Sequence, residues 1–340
     1  MKNPLLVPTL FTLLVAILGS CTLPTVSSTQ ATATPIPSTP TLEATPLPPP
    51  TELGLAENPL ILALTPSANT PEQINAAHEI AAQMMERTGY VIVTIVPDSY
   101  AALMDALENG NAHIVLLDPL SYALAYQEDL VRARFAVVKD GKTEYGMQFL
   151  APRKDGYISY FDNVPGENTV DLKTALAQFN DKKPCWSEET SPSGYVLPLG
   201  LLNQALVQTR PAAFVGGQTT VVRSLYLGGI CDFGASYIDA RKFPSLENEY
   251  PDLVEQVIVV WRTPEIIPYE VLSFSTQMPQ PMRDLFNSII PAIFQTNAGN
   301  AAFKTAYDID ALQGVNDGDF KDFHAAVKES RLDLLLLMNK

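Results

Sequence analysis

The feature that most restricts how this chain can fold is a regular alternation between residues 58 and 127. Residues 60–64 form a short apolar run with the length of a buried strand. A turn follows, with Thr70 placed to cap a helix and Pro71 at its first position. Ile74, Ala77, Ile80, Ala81 and Met84 then recur at helical spacing until Gly89. Residues 90–96 are strongly β-branched, Asp98 or Ser99 caps a helix through Leu107, residues 112–117 form a third strand, and Pro119 opens a third helix. Strand and helix in strict turn imply right-handed crossovers and a mainly parallel sheet.

A second α/β unit begins near Val170, after two segments (134–138 and 145–152) that read as crossing strands. Helices are expected over 172–179, 193–207 and 218–227, and strands over 184–187, 229–235 and 254–261. The pattern changes again at Pro268, with a strand at 271–275 and helices at 279–294 and 319–337. The late helices need a surface to cover, and the first unit offers one. The expected architecture is therefore α/β and bilobed: two mixed, mainly parallel sheets joined by a two-strand hinge. Lobe 1 takes residues 53–153 and 268–340, lobe 2 takes 154–267, and hinges fall near 153–162 and 262–269.

The N-terminal fifty residues belong to neither lobe. Lys2 precedes an almost wholly apolar run from Leu5 to Leu18, and Leu18-Gly19-Ser20-Cys21 ends it. The run is shorter than the ~20 residues that span a bilayer, so residues 1–20 read as a cleaved export signal. The tetrapeptide resembles the lipobox of bacterial lipoproteins, which implies lipidation of Cys21 and anchoring outside the cytoplasm. Residues 21–52 are mostly Thr, Pro, Ser and Ala, with too little apolar surface to offset ordering entropy; they read as a disordered tether.

Composition removes several functions. A formal charge of −15 argues against nucleic acid and anionic membrane surfaces, which need clustered Lys and Arg. A small anion is still admissible, because helix N-termini and hydroxyls can hold it. His78, His113 and His324 are scattered without ligand spacing, so no metal or other cofactor is expected, and each reads as a helix-surface or strand-end residue. With Cys21 assigned to lipid, Cys185 and Cys231 remain, an even pair in an oxidising compartment that is expected to form a disulfide.

Ligands of open α/β sheets bind beyond the carboxyl ends of the strands. Three strand-to-helix junctions combine hydroxyls with free helix N–H groups: Thr65-Pro66-Ser67, Asp118-Pro119-Leu120-Ser121-Tyr122, and Glu189-Thr190-Ser191-Pro192-Ser193-Gly194-Tyr195. A tetrahedral oxyanion needs many donors in a small space, and such junctions supply them.

These same segments carry a family resemblance. Residues 190–198 are similar to the Ser-Thr-Ser-Gly-x-x-x-Pro signature of the phosphonate, phosphite and phosphate substrate-binding proteins of ABC importers. Asp98-Ser99-Tyr100 with the 106–110 segment resembles that family's Asp/Ser-Tyr…Ala-Leu-x-x-Gly stretch. Residues 118–123 resemble its Gly-Pro-x-Ser-Tyr-Ala loop, and 228–235 its Gly-x-x-Asp-x-Gly-Ala strand. The matches keep the family's order and cover most of residues 58–300.

The resemblance implies a type 2 periplasmic-binding-protein fold whose lobes close on a small phosphorus oxyanion, with an ABC permease as partner and a monomeric state. By position, Ser191, Ser193 and Gly194 would hold the anion from the second lobe, flanked by Thr190 and Tyr195. Ser67, Tyr100, Ser121 and Tyr122 would approach from the first, and Asp232 would accept a ligand proton or ammonium. Two positions depart from the pattern. Pro192 replaces Thr and removes two donors, and Asp118 replaces Gly and puts a carboxylate where an anion is expected.

Catalysis is not expected, because Ser193 lacks the Gly-x-Ser-x-Gly frame and has no histidine base within evident reach. The alternative functions are a ligand-sensing lipoprotein of the same fold and a binder of some non-phosphorus molecule.

Overall fold

The computed structural model describes residues 52–68 and 70–339. The signal segment, Cys21 and the tether up to residue 51 lie outside the described residues. The folded part opens with β1 (Leu60–Ala63), α1 (Pro71–Thr88), β2 (Ile92–Ile95), α2 (Tyr100–Glu108), β3 (Ile114–Leu117) and α3 (Pro119–Gln127). Local chemistry sets these boundaries. Thr70 and Gln73 form a reciprocal capping box on α1, and Gly89 ends the helix at φ +73°.

The chain continues through β4 (Val131–Val138), β5 (Glu144–Tyr145), β6 (Met147–Pro152), β7 (Phe161–Asp162) and β8 (Glu167–Asn168). Next come α4 (Leu172–Leu176), β9 (Pro184–Trp186), α5 (Leu197–Gln204), β10 (Ala213–Phe214), α6 (Gln218–Leu227) and β11 (Phe233–Tyr237). Then follow α7 (Pro244–Glu249), α8 (Leu253–Gln256), β12 (Val257–Arg262), β13 (Ile267–Pro268) and β14 (Val271–Ser275). The chain ends with α9 (Gln280–Phe294), α10 (Asn297–Tyr307), β15 (Ala311–Gly314), α11 (Lys321–Ser330) and α12 (Leu334–Met338).

Two sheets result. The first runs β15-β4-β14-β3-β1-β2 and the second β10-β9-β11-β6-β12. Each is mixed: β2, β1 and β3 are parallel, as are β10, β9 and β11, whereas the other neighbours pair antiparallel. The antiparallel share exceeds what the early alternation suggests, because the strands entering or leaving each lobe run against the rest.

Strand β3 shows how the first sheet divides its two cores. Ile114 and Leu116 face a cluster with Ile80, Met84, Phe286 and Phe303. Val115 and Leu117 face the other way, toward Leu103, Leu107 and Leu120. That is the period-2 alternation of a strand buried on both faces. The second cluster continues without a break into Phe149, Phe179, Trp186 and Phe233 beside the second sheet.

The chain passes from the first sheet to the second within residues 139–146 and returns within 263–270. Between them β5 pairs antiparallel with β13, Tyr145 opposite Ile267 and Glu144 opposite Pro268. The first crossing therefore precedes the 153–162 segment that the sequence suggested. The reason is β6, buried at all six positions and seated between β11 and β12 in the second sheet.

The C-terminal segment also differs from the single helix expected over 319–337. Arg331 takes φ +58°, and Asp333 caps a separate α12. Helix α12 packs on α2 and α3, whereas α11 packs on α5 of the other lobe. His324 of α11 is buried rather than on the helix surface, stacked 4.1 Å from Tyr126 of α3. Helix α11 is thus wedged between the lobes. His78 is exposed on α1, and His113, just before β3, is buried with Nδ1 accepting from the Ile61 N–H at 3.0 Å.

Candidate functional site

On the first-lobe side, Thr65 and Ser67 hydroxyls are in hydrogen-bond contact at 3.0 Å after β1. Ser99 caps α2 by accepting from the Ala102 N–H at 3.1 Å, which places Tyr100 on the first turn. Asp118 caps α3: its Oδ1 accepts from the backbone N–H groups of Leu120 and Ser121, both at 3.1 Å, and its Oδ2 from the Ser121 hydroxyl. The Tyr100 hydroxyl meets Ser67, Asp118 and Ser121. Burial, with the Asp118 charge beside it, raises its pKa, so Tyr100 remains a neutral donor.

On the second-lobe side, β9 runs into a wide i→i+5 turn over Pro192–Val196. Ser191 caps this turn, its Oγ accepting from the Gly194 N–H at 3.1 Å. Gln218, the first residue of α6, donates from Nε2 to Ser193 Oγ at 2.8 Å and Ser191 Oγ at 3.2 Å, while its Oε1 accepts from the Tyr237 N–H. From the hinge strand, the Tyr145 hydroxyl reaches Ser193, and burial raises its pKa.

Two adjoining cavities lie between these groups. One, of about 310 Å³, is lined by Tyr100, Asp118, Tyr145, Thr190, Pro192 and Met338, among others. The other, of about 480 Å³, is lined by Lys139, Tyr145, Ser193, Gln218, Tyr237 and Glu270, among others. Pro119 and Tyr145 border both. Lys139 pairs with Glu270 at 3.0 Å and lies 5.3 Å over the Tyr269 ring, which stacks on Tyr145.

Of the expected residues, Tyr100, Thr190 and Ser193 line the two cavities; Ser67 and Ser121 stand against the Tyr100 hydroxyl, and Ser191 and Gly194 back Ser193 and Gln218. Three expected residues are elsewhere. Tyr122 is fully buried, and its hydroxyl donates to Asp317 Oδ1 at 2.8 Å; nearly every side of α3 is packed, so its fourth residue points into the core. Tyr195 packs edge-on against Phe214. Asp232 precedes β11 and accepts from the Lys183 N–H at 2.7 Å, so it sits at the amino end of the sheet, away from the carboxyl ends that face the cleft. Gln218, Tyr145 and the Lys139–Glu270 pair were not found from sequence. Asp118, which the sequence places in a junction but gives no ligand role, is itself the anion on the N-terminus of α3. Among the described residues no cluster of His, Cys, Asp or Glu has the grouping of a metal site.

The burial of Tyr122 gives a direct test. Tyr122→Phe strips a donor from a partly buried carboxylate and is expected to destabilise the fold by about 2 kcal/mol in urea unfolding.

The family model for the periplasmic phosphonate substrate-binding protein of ABC transporters matches residues 62–336. The chain belongs to this family. Its members bind a solute for import outside the cytoplasm and are not enzymes. A curated relative, the phosphate-import protein PhnD of Mycolicibacterium smegmatis, is 26% identical over 190 residues. That match takes in 52% of this chain and 54% of the relative, so the chain spans about half the length of the curated relative it matches. Among solved structures, XAC2383 from Xanthomonas citri bound to ATP aligns over 80% of this chain and 98% of its own length, with a TM-score of 0.59 and 16% identity. That likeness is one of fold. The phosphonate-binding family's bilobed type 2 architecture accounts for the two mixed sheets and their two-strand connection.

Proposed function

We propose that the protein captures a small phosphorus oxyanion (phosphonate, phosphite or phosphate) between its lobes and delivers it to an ABC permease. In this reading lipidated Cys21 holds it to the membrane and the 21–52 segment is the tether. The observation that supports it best is the polar lining of two adjoining cavities, Ser193 and Gln218 in one and Tyr100 and Thr190 in the other, with Tyr145 bordering both and Ser191 and Gly194 holding Ser193 and Gln218 from behind. Hydroxyls, an amide and neutral phenols suit a compact anion in a protein of −15 charge, because they donate without needing a buried counter-charge. Closure about β5 and β13 would let one ligand bridge both sides, so binding would shift the population to the closed state.

Asp118 gives this site a chemical preference. Its carboxylate already occupies the helix α3 N-terminus, so a ligand oxygen beside it must bring its own proton or stay on the second-lobe side. A monoprotonated phosphorus anion meets that demand, and fully ionised sulfate does not.

The test is a thermal-shift and calorimetry panel on the full chain with phosphate, phosphite, methylphosphonate, aminoethylphosphonate and sulfate. Stabilisation by a phosphorus anion and not by sulfate is expected. Gln218→Ala, which releases two serines and a backbone N–H, should weaken that binding by roughly 30-fold or more, equivalent to about 2 kcal/mol. Tyr122→Phe should leave it within about twofold of the wild type. No shift with any phosphorus anion, after refolding to strip carried-over ligand, would remove the phosphorus assignment.

A further inference from the structure

The end of β11 and the loop after it border two separate cavities. Tyr237 and Ile238 line the cleft, whereas Asp239, Arg241 and Lys242 line a second cavity of about 350 Å³ together with Arg153, Arg262 and Asn163. This cavity inverts the charge of the molecule. Four cationic side chains line it beside a single carboxylate, two of them (Arg241 and Arg262) bonded to that carboxylate, in a chain of formal charge −15.

That carboxylate is already spent. Asp239 Oδ1 accepts from Gln148 Nε2 at 2.7 Å, from the Arg241 N–H at 3.1 Å and from Arg241 Nε at 2.9 Å. Its Oδ2 accepts from Arg241 Nη2 at 2.6 Å and Arg262 Nη2 at 3.0 Å. Arg241 is only 4% exposed, and its Nη1 donates to the Val257 carbonyl at 2.9 Å and toward the Val254 carbonyl at 3.4 Å. Arg153 gives its Nε to the Glu255 carbonyl rather than to a carboxylate. One buried arginine on one buried aspartate would be enough to pin this loop. Arg262, besides its bond to Asp239, donates from Nε to Gln148 Oε1 at 3.0 Å and lies 4.3 Å over the Phe161 ring. The surplus is the pair of exposed cations, Arg153 and Lys242, which pair with no carboxylate among the described residues, and positive charge left uncompensated beside a partly desolvated site is unfavourable unless something anionic comes to it.

We propose that this cavity is a second anion site, distinct from the cleft, for a ligand carrying phosphate-type groups. Guanidinium forks match the geometry of phosphate oxygens, and Lys242 adds a mobile point charge at the mouth. The volume exceeds what one tetrahedral anion fills, which favours a diphosphate or a phosphate within a larger headgroup. The proposal stands on these residues alone and does not depend on what the cleft binds.

The chemistry could come from a soluble diphosphate or from an anionic lipid headgroup, and two measurements on the full chain separate them. One is calorimetric titration with inorganic pyrophosphate. The other is co-sedimentation with phosphatidylglycerol vesicles against phosphatidylcholine vesicles. Arg153→Glu with Lys242→Glu changes only exposed side chains and is expected to reduce binding at least about tenfold, whereas Gln218→Ala leaves it unchanged. Saturable pyrophosphate binding with this variant pattern assigns a soluble ligand, and a phosphatidylglycerol preference with the same pattern assigns a headgroup. Absence of both, binding that survives the charge reversal, or binding lost in Gln218→Ala would each overturn the proposal.

Discussion

Replacing Cys185 and Cys231 together by alanine is expected to cost about 4 kcal/mol of folding stability, read as a lower urea midpoint. The two residues are buried, bonded, and 46 positions apart, with Cα atoms 5.5 Å from one another. A crosslink closing a loop of that length removes about 4 kcal/mol of chain entropy from the unfolded state. The loop it closes is not incidental: it carries Thr190, Ser191, Ser193, Gly194 and Gln218, while Tyr237 lies outside it. Cys185 lies in β9 and Cys231 just before β11, so the bond also ties the two strands whose carboxyl ends deliver those groups. Adding reductant to the wild-type protein under partly unfolding conditions should reproduce the variant's midpoint. A loss below 1 kcal/mol in both experiments would mean that the unfolded chain already holds this loop compact, and that the bond adds little to the lobe.

What was legible in the sequence was what local chemistry controls. Thr70, Pro71 and Gly89 mark α1 because caps and breakers act within a few residues, and the strand runs of β1 and β3 declare themselves by length. The junction serines were legible for the same reason, since an N-cap is a local structure. Gln218 was not, because its partners Ser191 and Ser193 lie 27 and 25 residues earlier and meet it only through the pairing of β9 with β11. The Lys139–Glu270 pair spans 131 residues and exists only because β5 and β13 pair at the hinge. Asp232 was placed at the ligand by the family resemblance alone, and the strand reading beside it was one boundary off. A strand read from Gly229 puts that carboxylate inside the sheet, but the strand begins at Phe233 and leaves Asp232 hydrogen-bonded to the Lys183 backbone at the far end. Tyr122 failed because a motif gives the order of residues and not the direction of each side chain.

Gly200→Ala is expected to destabilise the protein by about 3 kcal/mol, at the upper end of ordinary overpacking. A β-carbon at residue 200 would lie 2.0 Å from the Ala326 carbonyl oxygen, 3.0 Å from its carbon and 3.1 Å from the Ser330 nitrogen. All three are backbone atoms, so no rotamer change relieves the contact and α5 must move off α11. That pairing joins the lobes: Asn203 on α5 donates to the Glu329 carbonyl at 2.9 Å, while His324 on the same helix α11 stacks against Tyr126 of α3. Separating α5 from α11 therefore opens the continuous apolar cluster that runs between the two sheets. Gly314→Ala is the control, because its β-carbon would meet nothing within 4 Å. Urea unfolding should show the two alanines differing by most of the 3 kcal/mol. If they are equivalent, the helices part without cost, and the wedge position of α11 does not hold the lobes together.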